Sequence, residues 1–221
     1  MSSKKWIFGR DPAFPEALEP HKISKCTLEF LDIGPVDGSL AFDPNRLVHC
    51  ILRVKLDPAL TKDSSYAPTN TYSLVLDLTA DNSDHTAANA RSVPVEMLLK
   101  ACTYEGPHWN AMRATDLPVN GRKTVGDFLR ALRTPGLNTC EFIRHDGLLV
   151  GCRDFMSQTI RLLIAIGFLA IPEDSQVALF NNFNNIPTEK MGERKSPVTQ
   201  AVFAKSFNYV RIAAINYSAV E

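Results

Sequence analysis

The sequence predicts an α+β domain in which an antiparallel sheet packs against one central helix. Three stretches carry that expectation. Residues 140–144 are a short β-prone run, His145-Asp146-Gly147 is a tight-turn signal because Asp and Gly tolerate positive φ, and residues 148–150 return as a second strand. Gly151 then turns the chain without a Cβ clash, and Cys152 opens the most regular amphipathic run, with Asp154, Ser157, Gln158 and Arg161 on one helical face and Phe155, Met156, Ile160, Leu163 and Leu169 on the other. That run turns nearly all apolar from Leu162, so its second half is expected to be buried. Residues 73–78, SLVLDL, read as a central strand.

In chain order, residues 1–22 hold Trp6, Ile7, Phe8 and Phe14 among Pro12, Pro15 and Pro20. Proline breaks any long helix there, and the aromatic content predicts an arm packed on the domain or on a second copy, the alternative being a poorly ordered tail. Residues 23–221 form a single domain. Residues 23–33 and 47–56 read as strands, and in the second His49, Arg53 and Lys55 share one parity, which puts His49 on an exposed or cleft-lining face. Residues 57–69 read as a loop, and Asn70-Thr71-Tyr72 opens the strand 73–78. A polar loop with His85 follows. Residues 92–104 fit either a helix begun by Ser92, Pro94 and Glu96 or a strand in which Val93, Val95, Met97 and Leu99 alternate; the meander favours the strand. Residues 106–110 are a loop, and Thr124 with Asp127 is a capping-box start for a helix over 125–132. Beyond Pro172, a short strand is expected at 176–180, a turn-rich loop at 181–185, a helix from Ser196-Pro197 to about 204, and a last strand at 209–217.

Composition narrows the function classes. The 221 residues include 24 basic and 24 acidic side chains, so the zero net charge gives no sign of nucleic acid or an anionic membrane as partner. Five cysteines, at 26, 50, 102, 140 and 152, are odd in number and widely spaced, which argues for reduced thiols rather than a disulfide framework or a zinc site. The first residues lack the apolar core of a signal peptide, and the longest apolar run is about half the ~20 residues that span a bilayer, so a soluble cytoplasmic protein is expected. Histidines at 21, 49, 85, 108 and 145 have no metal-ligand spacing, and there is no nucleotide, flavin or metal motif, so no cofactor is expected.

Cysteine chemistry is the sharpest candidate. A thiol at the entry of a helix meets the positive end of the macrodipole, and Arg153 adds a positive charge, which together favour the thiolate. The plainer reading makes Cys152 a small buried apolar residue. Asn70, Tyr72, His108, Trp109 and Arg153 are the candidate substrate-binding residues around it.

The order of these motifs resembles a family of fungal proteins of unassigned function, in which an Asn-His-Trp-type strand precedes a second strand, a short Thr-Val-Gly helix and a Gly-Cys-Arg-aromatic helix. The matching residues are Asn70-Thr71-Tyr72, Ser92-Val93, Thr124-Val125-Gly126-Asp127 and Gly151-Cys152-Arg153-Asp154-Phe155, within residues 23–170. A histidine-bearing strand ahead of a cysteine-bearing helix is also similar to the circularly permuted papain-like fold of NlpC-type peptidases and lecithin retinol acyltransferase relatives. That resemblance implies Cys152 as nucleophile and a strand histidine as its base. Thr71 stands where the fungal family has its histidine, and threonine is no base near neutral pH. His145, at the hairpin tip, is several extended residues from Cys152, which leaves His49 and His85.

The missing histidine favours a cofactor-independent enzyme of specialised metabolism, a cyclase or isomerase acting on a small organic substrate held in a shaped cleft. The alternatives are a cysteine hydrolase or acyltransferase using Cys152 with His49 or His85, and a non-catalytic module that forms a homodimer through its aromatic arm.

Overall fold

The computed structural model describes residues 4–8, 14–32, 48–60, 70–80, 90–145, 148–188 and 192–218. Eight strands form one antiparallel sheet: β1 (Lys5–Ile7), β2 (Lys22–Asp32), β3 (Val48–Leu60), β4 (Thr71–Ala80), β5 (Ser92–Cys102), β6 (Ala111–Pro118), β7 (Glu141–His145) and β8 (Leu148–Val150). Their order is β6-β2-β3-β4-β5-β7-β8, with β1 joined to β5. Two strands, β9 (Asn185–Thr188) and β10 (Gly192–Lys195), pair separately, and the helices are α1 (Val125–Leu132), α2 (Cys152–Ala165) and α3 (Glu173–Asn181). The α+β class with an antiparallel sheet is what the sequence predicts. No helix among the described residues is long and apolar enough to cross a membrane.

The sheet is apolar on both faces, and unequally so. Alternate residues Cys26, Leu28 and Phe30 of β2, Cys50, Leu52 and Val54 of β3, and Leu74, Leu76 and Leu78 of β4 join Phe128, Phe155, Ile160 and Phe168 in the main core. On the opposite face Leu31, Ile51, Val75 and Cys102 form a small second cluster. Beside it Arg53 donates through Nε to Glu29 at 2.5 Å and through Nη1 to Ser73 at 3.1 Å. Burial of this pair is compensated by further partners, since Arg53 also reaches Cys102 and Tyr104 and Glu29 accepts from the His108 N–H. Of the arm, Trp6 is buried against its own chain, opposite Leu99 in the β1–β5 pairing and 5.1 Å from the Phe14 ring.

Several elements differ from expectation. Strand β3 runs on to Leu60, through residues read as loop, and β6 occupies residues to which no element was assigned. Residues 176–180 belong to α3 rather than to a strand; Glu173 and Asp174 in the first turn complement its macrodipole. Residues 196–204 form no helix and 209–217 no regular strand. Their backbone groups find long-range partners instead: Val198 donates to Asn216 at 2.7 Å and Val202 to Glu141 at 3.1 Å.

The faces of α2 explain that outcome. Its polar residues Asp154, Ser157 and Gln158 are buried, while its apolar end reaches solvent at Ile166, which is 51 % exposed. The second half, expected to be buried, is so in part: Leu163 is fully buried, Leu162 and Ile164 are half-buried, and exposure begins at Ala165 and Ile166. The irregular C-terminal segment lies over the polar face and uses it: Ala201 donates to Asp154 Oδ2 at 2.8 Å, Tyr209 Oη to Asp154 Oδ1 at 3.2 Å, and Gln158 bonds both backbone groups of Val210. Side chains thus satisfy amides that no ladder serves.

Burial pushes the Asp154 carboxyl up to about 6, against the lowering by hydrogen bonds from Ala201 and Tyr209. A carboxyl raised in the folded state adds stability that is full below its unfolded value of 3.8 and lost as pH rises through about 6. Unfolding free energy should therefore fall by about 3 kcal/mol across that window, from ~1.36 kcal/mol per unit. Chemical denaturation of Asp154→Asn at pH 4 and pH 7.5 should show this slope removed. An unchanged slope would place the carboxyl's titration elsewhere.

Candidate active site

Three neighbouring strands and one helix terminus bring together a thiol, an imidazole, a carboxylate and an ammonium. His49 on β3, Asp77 on β4 and Lys100 on β5 share the sheet face that carries Ile51, Val75 and Cys102. His49 Nε2 lies 2.5 Å from Asp77 Oδ1, the backbone N–H of Leu78 donates to the same oxygen at 2.7 Å, and Lys100 Nζ pairs with Asp77 Oδ2.

Cys152 arrives from the helix side of the sheet. The β3–β4 register runs from Leu60↔Thr71 to Leu52↔Leu76. Beyond its last pair, the N–H of Cys50 donates to Cys152 Sγ at 3.2 Å, so the sulfur takes the place of the next rung. From there Sγ lies 3.5 Å from His49 Nδ1. The thiol reaches a histidine on the opposite sheet face because the two strands part at this point.

Gly151 sets the approach. Its φ of +132° suits only glycine, and a Cβ there would come within 3.2 Å of both Ala201 Cβ and the Phe142 ring. The first helical bond follows at once, from Phe155 N–H to Gly151 O at 2.9 Å, which places Cys152 in the first turn of a 14-residue helix. Arg153 fixes that turn from outside by donating to the carbonyls of Phe183, Ser196 and Pro197 and to Ser196 Oγ, at 2.7 to 3.1 Å.

The electrostatics run in one direction. A hydrogen bond from the Cys50 thiol holds Cys152 well below the ordinary thiol value, against burial, with help from the His49 charge and the Cys50 amide. Burial lowers the His49 pKa, but the Cys152 charge and the Asp77 hydrogen bond outweigh it and push it up to about 10. For Asp77 burial works upward, and the bonds from His49 and Lys100 bring it down to about 2. At neutral pH the array is therefore thiolate, imidazolium, carboxylate and ammonium. The His49 and Asp77 side chains are 19 % and 16 % exposed, dry enough to strengthen the pairing yet open to a ligand.

The other sequence candidates fall in different places. Asn70 and Tyr72 lie at the far end of β4, seven and five residues from Asp77, or about 23 and 17 Å at ~3.3 Å per residue. His108 and Trp109 sit at the same sheet end as His49, since Ala111 pairs with Leu31 and Leu31 with His49. His108 is held there by Glu29, which accepts from its N–H at 2.8 Å. Trp109 projects into solvent, 87 % exposed, rather than lining the thiol. The Arg153 guanidinium clamps the C-terminal segment, with its charge acting on the neighbouring Cys50 thiol, and His85 lies outside the described residues. Asp77 and Lys100 escaped the sequence reading. The available signal was an aspartate on the Val75 parity of an otherwise apolar central strand, where a buried charge requires a partner.

A groove of about 410 Å³, lined by residues including Ala201, Phe203, Phe207 and Tyr209, lies on the Asp154 side of α2. Residues 152 and 154 are about 200° apart on a helix, so this groove and the thiol occupy opposite sides of the first turn. No protein-family model matches the chain, and no curated protein or solved structure matches it significantly.

Iodoacetamide alkylation of Cys152, followed peptide by peptide against pH, should reach its plateau well below the ordinary thiol pKa of ~8.5. The His49→Ala rate profile should move toward that ordinary value. Cys26 and Cys140, whose thiols burial pushes up to about 12, should stay unlabelled. Equal labelling of all five cysteines would contradict the ion pair.

Proposed function

We propose that the protein is a cysteine hydrolase or acyltransferase in which Cys152 is the nucleophile, His49 the general acid and base, and Asp77 the group that orients the imidazole. The observation that carries the reading is the continuous chain Cys152 Sγ–His49 Nδ1, His49 Nε2–Asp77 Oδ1. A thiolate beside an imidazolium oriented by a carboxylate is the arrangement of thiol acyl-transfer chemistry. The resemblance to permuted papain-like enzymes supports the same roles for Cys152 and a strand histidine. A cyclase or isomerase without thiol chemistry ranks second, because its main support was the threonine at position 71, and an imidazole reaches the sulfur from β3 instead.

The reaction follows from the geometry. Cys152 thiolate attacks the carbonyl carbon of an ester, thioester or amide, and the carbonyl electron pair moves onto oxygen. The first-turn amides of α2, which a helix leaves without intrahelical acceptors, are the donors this reading assigns to that developing charge. Collapse expels the leaving group, which takes its proton from His49 and leaves an acyl thioester on Cys152. Neutral His49 then deprotonates water or an acceptor nucleophile, whose attack releases the acyl group and restores the thiolate. No cofactor is needed.

Lys100 sets the pH range of this cycle. It balances Asp77, so the four-group array is neutral overall; removing it leaves one net negative charge, which raises the pKa of both the thiol and the imidazolium. With Lys100→Met both limbs of the rate profile should move to higher pH by roughly one unit, and Lys100→Arg should restore them. A purely structural lysine would lower the rate without moving the limbs.

The central test uses a panel of p-nitrophenyl acyl esters, with release of p-nitrophenol and intact mass as readouts. A burst of one equivalent and an acyl adduct on Cys152 are expected. Cys152→Ala should abolish both, and His49→Ala should slow acylation by about 10²–10⁴-fold. Adducts that persist unchanged in Cys152→Ala would refute the assignment.

A further inference from the structure

The nucleophile has a second thiol beside it that the acyl-transfer cycle does not consume. Cys50 is fully buried on the helix-facing side of β3, in line with Leu52 and Val54. Its N–H donates to Cys152 Sγ at 3.2 Å. Adding an N–Cα bond of ~1.46 Å puts that sulfur within about 4.7 Å of Cys50 Cα, so the two cysteines are immediate neighbours across the gap. Burial and the neighbouring Cys152 sulfur push the Cys50 thiol well above its ordinary value. Cys26, Cys102 and Cys140 have no such contact with Cys152 among the described hydrogen bonds.

We propose that Cys152 and Cys50 form a peroxide-responsive pair, in which Cys152 is oxidised by a hydroperoxide and Cys50 resolves the product as a reversible disulfide. This rests on the thiolate character of Cys152 assigned above, and not on the identity of any acyl substrate. In the first step Cys152 thiolate attacks the terminal oxygen of the hydroperoxide. The O–O bond breaks, the departing alkoxide or hydroxide takes the His49 proton, and Cys152 becomes a sulfenic acid. In the second step the Cys50 sulfur attacks the sulfenic sulfur; the S–S bond forms, the S–O bond breaks, and the oxygen leaves as water with the Cys50 proton. Two electrons pass from the two sulfurs to one hydroperoxide, yielding an alcohol, or water from hydrogen peroxide itself, together with one water.

The local charges order the two steps. While Cys152 is a thiolate, burial and its neighbouring negative charge keep the proton on Cys50, so Cys50 is inert. Oxidation removes that negative charge and leaves His49 neutral, able to accept a proton. Cys50 therefore becomes a nucleophile only after Cys152 has reacted. The disulfide occupies the catalytic sulfur and halts acyl transfer until a dithiol restores it, and it shields Cys152 from irreversible oxidation.

The test is non-reducing peptide mapping of the intact protein after a few equivalents of hydrogen peroxide, with alkylation of Cys152 before and after dithiothreitol. A Cys50–Cys152 linked peptide is expected, with Cys152 alkylation lost on oxidation and fully regained on reduction. Cys50→Ala should lose that recovery and accumulate Cys152 sulfinic and sulfonic acid. Over-oxidised Cys152 in the unsubstituted protein without a link to Cys50, or a link to Cys26, Cys102 or Cys140 in its place, would overturn the proposal. Rapid low-pH alkylation of Cys152 without the link would overturn only this pairing; ordinary slow alkylation would instead remove the thiolate on which both readings depend.

Discussion

The site depends on one hydrogen bond at the point where two strands part. Between β3 and β4 the ladder ends at Leu52↔Leu76, and the next available amide, that of Cys50, takes a sulfur as acceptor. Sulfur in that position bridges the two faces of the sheet. The helix that carries it packs on one face, while His49 and Asp77 stand on the other. Continued pairing would close the gap and separate thiol from imidazole. An early-ending ladder costs backbone hydrogen bonds, and here the cost is offset by one charge-assisted bond to a thiolate.

Much of the surrounding structure holds α2 in register with that gap. Gly151 allows the chain to turn tightly past Ala201 and Phe142, and Arg153 ties the first turn to three carbonyls. Asp154 and Gln158 receive the backbone of residues 201–210. The residues that follow the cysteine are therefore chiefly structural. Their polar character comes from the irregular C-terminal segment, whose amides need side-chain acceptors. A charged array that must keep a sulfur within 3.5 Å of an imidazole tolerates little motion of its helix.

Local signals made part of this legible in the sequence. The Thr124 capping box and the Gly151-Cys152 junction each rest on short-range chemistry, and α1 and α2 start where those signals put them, while the Asp146-Gly147 turn lies outside the described residues. The parity of β3 placed His49 on the correct face. Long-range competition accounts for most of the differences. The segment after Ser196-Pro197 has helix-start chemistry, but its backbone pairs with Asn216 and Glu141 and its carbonyls bind Arg153. Asp77 and Lys100 went unnoticed because, although β4 and β5 read as a meander, nothing local fixes the register that sets Lys100 opposite Val75 and beside Asp77. His49 was one of two open choices for the same reason: 103 residues separate it from the sulfur.

The central claim is that Cys152 and His49 form an ion pair at neutral pH, and the protonation state of His49 tests it most directly. A ¹H–¹⁵N NMR titration of the His49 ring should find it doubly protonated through pH 8 and losing its proton only near 10. In Cys152→Ala, where the thiolate is absent, the titration should move to lower pH. If His49 instead titrates near the ordinary histidine value of ~6.5, with or without the cysteine, there is no ion pair and the account of the site fails.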